Sequence, residues 1–278
     1  MYEEIIYEVT DPVATITLNR PDKLNALTAR TMQELKDAFA RAERSEEVVG
    51  IVLTGAGRGF CSGVDMGTLQ AIQKAGSAAA MGDGGMEAAE PGDKSMGPDF
   101  TDGYTYLLSI RKPILAAVNG ACAGLGFSIA MFCDMRFASE KAVFTTAFAQ
   151  RGLVAEHGMS WVLPRLLGSA RALDILWSGR KFDGQEALQL GVVNRVVAPE
   201  KLLEEAQGYV RMLAATCSPT SLMDMKQQVY RHLMLPLGEA MGETNRLMDA
   251  SVKRPDFEEG VASFVERRPP KFARVNIE

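Results

Sequence analysis

Histidine is almost absent from this chain: His157 and His232 are the only two in 278 residues. A centre built from several imidazoles is therefore excluded, and no metal is expected. The four cysteines, Cys61, Cys122, Cys133 and Cys217, never fall in a Cys-x-x-Cys spacing and sit among apolar neighbours. They read as reduced structural thiols, not bridges or zinc ligands. Positive charge is not in excess either. Thirty Lys plus Arg against thirty-five Asp plus Glu leave a net charge of -5, which argues against a nucleic-acid partner. No apolar run reaches membrane-spanning length, so no membrane span is expected. The longest candidate, residues 113–132, is broken by Asn119 and by glycines at 120, 124 and 126. The first residues, Met1-Tyr2-Glu3-Glu4, do not read as a secretory signal, and the expected compartment is cytoplasmic. No repeat of fixed period is found.

What the chain does contain is an ordinary globular composition, 47% hydrophobic and 23% charged. A chain this long buries about 75% of its unfolded surface, enough for a core without disulfides. Residues 5–9 and 13–18 are β-rich runs separated by Thr10-Asp11-Pro12, which predicts a hairpin. Residues 28–44 carry Met32, Leu35, Phe39 and Ala42 at helical spacing behind Thr28, a capping residue. Residues 48–54 and 114–118 read as buried strands, and the order indicates α/β architecture. Over 75–99 the sequence shifts to Gly, Ala, Ser, Asp, Met and Pro, which reads as a mobile surface insertion, disordered or a lid. Past about residue 199 the pattern becomes helical, with candidate helices over 200–215, 218–233 and 255–267. The expected organisation is an α/β core over 1–198 and a helical region over 199–278 that covers the core or mediates assembly.

Two glycine-bearing transitions from strand to helix carry the chemistry. The first is Thr54-Gly55-Ala56-Gly57-Arg58-Gly59-Phe60-Cys61-Ser62-Gly63-Val64-Asp65. Its glycines serve either turns of positive φ or backbone amides that meet an anion. No phosphate-loop or dinucleotide fingerprint is present. The second, Val118-Asn119-Gly120-Ala121-Cys122-Ala123-Gly124-Leu125-Gly126, leads into an apolar helix over about 126–132, whose first amides lack intrahelical partners. One N–H from each motif, meeting on one oxygen, would make an oxyanion hole.

These segments, with Asn19-Arg20-Pro21, Leu24-Asn25-Ala26-Leu27 and the terminal Glu259-Gly260, Phe264 and Arg267-Arg268-Pro269, closely resemble the crotonase family of acyl-CoA enzymes. The resemblance spans nearly the whole chain except the insertion. It implies a fold of repeated ββα units with a C-terminal helical layer, an acyl-CoA thioester substrate, no separate cofactor, and a homo-trimer or hexamer. It also implies that the oxyanion donors are the backbone N–H groups of Val64 and Leu125, with Gly63, Gly124 and Gly126 around them. Ser128, Phe148, Trp161, Phe264 and Arg267 are further residues implied at the substrate.

The acid and base residues depart from the hydratases of this family. Where those enzymes carry two glutamates, this chain has Ser128 and Phe148. The stretch Gly152-Leu153-Val154-Ala155-Glu156-His157-Gly158 instead resembles the one in which enoyl-CoA and dienoyl-CoA isomerases carry a catalytic carboxylate, and Glu156 falls on it. A plainer reading makes Glu156 a helix-start carboxylate that complements a helix dipole. The leading expectation is double-bond isomerisation with Glu156 as single proton shuttle. Enoyl-CoA hydration is the enzymatic alternative, and acyl-CoA binding with little catalysis is the alternative of another class.

Overall fold

The alternation over residues 5–18 folds as β1 (Ile5–Thr10) and β2 (Val13–Leu18), an antiparallel pair in which Ile5 faces Leu18 and Thr10 faces Val13. The structure, a computed structural model, describes residues 2–77, 82, 84–101 and 103–277. Thr28 caps α1 (Ala29–Arg44) as expected, in a reciprocal capping box with Thr31. Leu35, Ala38, Phe39 and Ala42 turn inward on that helix. The chain then makes β3 (Gly50–Gly55), β4 (Gly59–Cys61), α2 (Met66–Ala75) and the short α3 (Tyr106–Ser109). Next come β5 (Ile114–Val118), β6 (Ala121–Ala123) and α4 (Leu125–Phe132), followed by β7 (Met135–Ser139) and β8 (Val143–Thr145). After α5 (Met159–Leu167) and α6 (Ser169–Ser178) come β9 (Phe182–Asp183), α7 (Gly184–Leu190) and β10 (Arg195–Val197).

Three successive strand pairs, β3 with β4, β5 with β6 and β7 with β8, each divide between two sheets. The first members lie in a six-stranded sheet of order β1-β2-β3-β5-β7-β10, and the second members in a four-stranded sheet of order β4-β6-β8-β9. From β2 onward the larger sheet is parallel. Its central strands are buried on both faces, which is why β3 and β5 read as unbroken apolar runs. Each pair is followed by a helix, α2, α4 or α5, so the strand-strand-helix unit recurs although the sequence shows no period. Phe144 and Phe182 stack at 5.5 Å, and Phe127 of α4 meets both edge-on at 6.4 Å. Such pairs add about 0.5–1.5 kcal/mol each beyond their burial, and here they fix α4 on the smaller sheet.

Past β10, α8 (Leu202–Thr216) lays Leu202, Ala206 and Val210 on Val13, Val52, Leu115 and Phe137, covering the outer face of the larger sheet. It is followed by α9 (Pro219–His232), α10 (Leu237–Ser251) and α11 (Pro255–Glu266). On α9, the Lys226 ammonium lies 2.8 Å from Asp134, and the Tyr230 hydroxyl donates to the same carboxylate at 2.8 Å. No described helix is long and apolar enough to cross a membrane.

The expected insertion is more organised than its composition implies. Residues 78–81 and 83 lie outside the described residues, but beyond Gly85 the segment is tied to the fold. Gly92 donates to Glu43 at 2.7 Å, Arg111 lies 3.5 Å from Asp93, and Gln227 donates to Asp93 at 2.7 Å. Met96 and Phe100, each on a single 3₁₀ turn, are buried in the main core. Two apolar anchors in a polar run leave no periodic signal, which is why they escape a reading of composition.

Candidate active site

The loop that carries Val64 is organised by Arg20 and Asn25. The Arg20 guanidinium donates to the Ala26 carbonyl at 2.5 Å and to Asp65 at 3.1 Å. Asp65 in turn accepts from the Gly67 amide at 2.9 Å and caps α2. Asn25, itself at a φ of 56° and buried, donates to the carbonyls of Ala56 and Gly59 at 3.0 and 2.8 Å. Residues 62–65 are then zipped to 24–27: Ser62 N to Leu24 O, Leu27 N to Gly63 O and Asp65 N to Leu27 O, at 2.8–3.0 Å. The Val64 N–H lies among these bonds, and no acceptor engages it among the described residues.

Leu125, the first residue of α4, is in the same condition. Gly124 donates to Thr145 and accepts from Ser128, but the Leu125 N–H has no acceptor among the described residues. The helix dipole adds partial positive charge at this end. The two loops touch. A Cβ built on Gly63 would stand 3.6 Å from the Leu125 nitrogen and 3.2 Å from the Ala123 carbonyl oxygen, and Gly63 has a φ of +102°. Gly124 has a φ of +52°, also outside the range of ordinary side chains. Two unpaired donors on facing loops can hold an anionic oxygen.

Gly126 does something else. A Cβ there would come within 2.6 Å of the Cβ, Sγ and O of Cys61, so its part is to let α4 lie directly on β4. Burial pushes the Cys61 thiol up to about 12, which leaves it protonated and inert at neutral pH.

Glu156 sits in the turn before α5, followed by His157 and Gly158 at φ values of 53° and 73°. No side chain caps α5, and the position of Glu156 in the turn before it is compatible with the plainer reading, a carboxylate that complements the helix dipole. Its carboxylate is half-buried, and no hydrogen bond or ion pair engages it among the described residues. Burial raises its pKa above the ordinary glutamate value. Beside this turn opens a cavity of about 410 Å³ lined by Asp99, Tyr104, Phe132 and His157, among others. Burial lowers the His157 pKa below 6.5, which keeps the imidazole neutral at pH 7.

Residues 8–275 match the enoyl-CoA hydratase/isomerase family. The chain belongs to that family. A probable enoyl-CoA hydratase from Rhizobium meliloti strain 1021 is 36% identical over 271 residues, 98% of each chain. The 1,2-epoxyphenylacetyl-CoA isomerase of Escherichia coli K12 is 31% identical, over 98% of this chain and 99% of that one. Among solved structures, an enoyl-CoA hydratase subunit I from Geobacillus kaustophilus HTA426 superposes with a TM-score of 0.82 at 34% identity, covering 98% of each chain. The crotonase resemblance is thereby borne out, and with it the fold.

Other residues expected at the site of this hydratase/isomerase family member are placed unevenly. Ser128 is fully buried and donates to the Gly124 carbonyl at 3.3 Å, so it secures the first turn of α4 and presents no free hydroxyl. Phe148 is buried in the main core, and Trp161 packs against that core with the Arg165 guanidinium 4.1 Å from its ring centroid. Phe264 stands 85% exposed on α11 and Arg267 ends that helix. Among the described residues, no hydrogen bond or ion pair ties Arg267 to the Val64 and Leu125 loops. Tyr104 and Phe132 were not anticipated at the site. Phe132 lies in an apolar helix and Tyr104 just past the insertion, and neither position carries a sequence signal that marks it.

Proposed function

We propose that this protein isomerises β-γ-unsaturated acyl-CoA thioesters to the α-β form, with Glu156 as the only proton carrier. The observation that carries the reading is the state of Glu156: a half-buried carboxylate, unpaired among the described residues, with its pKa raised by burial. A base of this kind is strengthened by desolvation and has no other partner to satisfy. It takes a proton from C2 of the bound thioester, and the electron pair moves into the carbonyl to give a dienolate. The N–H groups of Val64 and Leu125 hold the oxyanion. The same carboxyl group then returns the proton to C4, and the carbonyl reforms. Atoms and charge balance without water. The E. coli relative is by name an isomerase of an epoxide-bearing acyl-CoA, which supports rearrangement of an acyl-CoA without naming a double-bond shift.

Hydration is the second reading, favoured by the name of the R. meliloti relative. Against it stand Ser128, buried and bonded to the Gly124 carbonyl, and Phe148, which has no acid to offer. Separate incubations with a β-γ-unsaturated and an α-β-unsaturated acyl-CoA distinguish the two by product mass. Isomerisation is expected to convert the first without change of mass. A product heavier by one water would establish the hydratase instead.

The helical region also supports assembly into a homo-trimer or hexamer. Leu237 of α10 and Phe264 and Val265 of α11 are each more than 70% exposed in the single chain, large apolar side chains of the kind a second copy would cover. Light scattering is expected to return a multiple of three times 30.2 kDa. A species of single-chain mass would overturn this.

A further inference from the structure

Resting on the reading of Glu156 as the base, we infer that Tyr104 is a positioning residue for it: its ring, packed edge-on against His157, holds the turn that carries Glu156 and shields the carboxylate from water. The Tyr104 and His157 rings lie 5.1 Å apart at 87°, and both line the cavity. This is the favoured edge-to-face geometry of an aromatic pair. Tyr104 is anchored from its own side of the chain. Two residues on, α3 buries Tyr106, Leu107 and Leu108, and the Tyr106 ring meets Phe39 edge-on at 6.3 Å. Upstream, Phe100 is buried in the same core.

The turn it faces needs such support. His157 holds a left-handed φ of 53°, a conformation that a non-glycine residue keeps only where its surroundings enforce it. Behind the turn, a Cβ on Gly158 would lie 3.2 Å from the Phe132 ring, so the turn is gripped between Phe132 and Tyr104. Of the titratable groups near this turn, Tyr104, His157 and Asp99 line the adjoining cavity, and Glu156 and Cys61 lie close enough to Tyr104 for their charges to act on its hydroxyl. The Tyr104 hydroxyl is pushed up to about 12 by burial, with Glu156 and Cys61 close enough to add to the shift. It stays neutral across the working range, and the ring, not a phenolate, is what acts on Glu156.

The test compares Tyr104→Phe, Tyr104→Leu and Tyr104→Ala with the unmodified protein in β-γ-unsaturated acyl-CoA turnover across pH, with Glu156→Gln in parallel. Tyr104→Phe keeps the ring and is expected to retain kcat and the acid limb of its pH profile. In Tyr104→Ala, kcat is expected to fall about tenfold to a hundredfold with KM little changed, as for a misplaced reacting group. Its acid limb should move to lower pH, because water reaches the carboxylate and relieves the desolvation that raised its pKa. Tyr104→Leu, which keeps apolar bulk, replaces the alanine variant if that one does not fold, with the same fall in kcat expected. An alanine or leucine variant with unchanged kcat and acid limb overturns the inference, as does a phenylalanine variant as impaired as alanine. If Glu156→Gln is inactive, such a result condemns the role of Tyr104 alone. If Glu156→Gln turns over normally, the base itself is misassigned and this inference falls with it.

Discussion

Glu156→Gln is expected to lower kcat about a hundred- to ten-thousand-fold, the usual cost of losing a general base. Acyl-CoA affinity should stay near that of the unmodified protein. The amide keeps the volume of the carboxylate, and no bond engages the carboxylate among the described residues, so the turn before α5 has no contact to lose. Catalysis by Glu156 requires its ionised form. Because burial raises its pKa, activity in the unmodified protein should fail on acidification at a higher pH than an exposed glutamate would allow. Steady-state rates with a β-γ-unsaturated acyl-CoA, together with a binding isotherm for a saturated one, check both halves. A glutamine variant that turns over normally eliminates Glu156 as the base.

Gly63→Ala should be comparably severe, for a reason that lies in the backbone. At a φ of +102° an alanine is strained, and its methyl group would stand 3.6 Å from the Leu125 nitrogen and 3.2 Å from the Ala123 carbonyl oxygen. Relief of that contact displaces the 62–65 loop, the Leu125 amide, or both. The N–H of Val64 is the next donor along the chain, so one movement misaligns the pair. Loss of one oxyanion donor commonly costs about a hundred- to a thousand-fold in kcat, or ~3–4 kcal/mol. Folding, read by circular dichroism, should survive, because the ties from Arg20 and Asn25 to this loop remain. A folded alanine variant with an intact rate would contradict the placement of the donors at Val64 and Leu125.

How much of this was legible beforehand differs from element to element. The hairpin, α1 and β5 announce themselves because alternation, a capping threonine with helical spacing, and a doubly buried strand each leave a clean pattern. By contrast β7 was missed, since it contains Arg136. That guanidinium is buried and spends its donors on the carbonyls of Val192 and Cys133, at 2.7 and 2.6 Å. A cation that serves backbone carbonyls inside a parallel sheet erases the apolar run by which such a strand is recognised. Gly63 and Gly124 were legible as backbone positions with a purpose, and both take positive φ. Gly126 was singled out too, but its use is contact with Cys61, a tertiary fact invisible in the chain.

The candidate base shows the same limit from the other side. Nothing in the periodicity around Glu156 separates it from a helix-start carboxylate that complements a dipole, and only the family resemblance points to chemistry. The structure adds what the sequence had no means to state: no partner engages the Glu156 carboxylate among the described residues, and burial raises its pKa. Tyr104 went unread for a further reason. It meets His157 across a separation of fifty-three positions, from just past the segment whose composition resembles a loose insertion.

The central claim is that one carboxyl group carries the proton from C2 to C4. The most direct measurement uses a β-γ-unsaturated acyl-CoA deuterated at C2, incubated in ordinary water for a single turnover, with the product read by mass spectrometry and NMR. A product without added water that carries deuterium at C4 is the predicted result. A product heavier by one water, or an isomer with only solvent hydrogen delivered to C4, would contradict it.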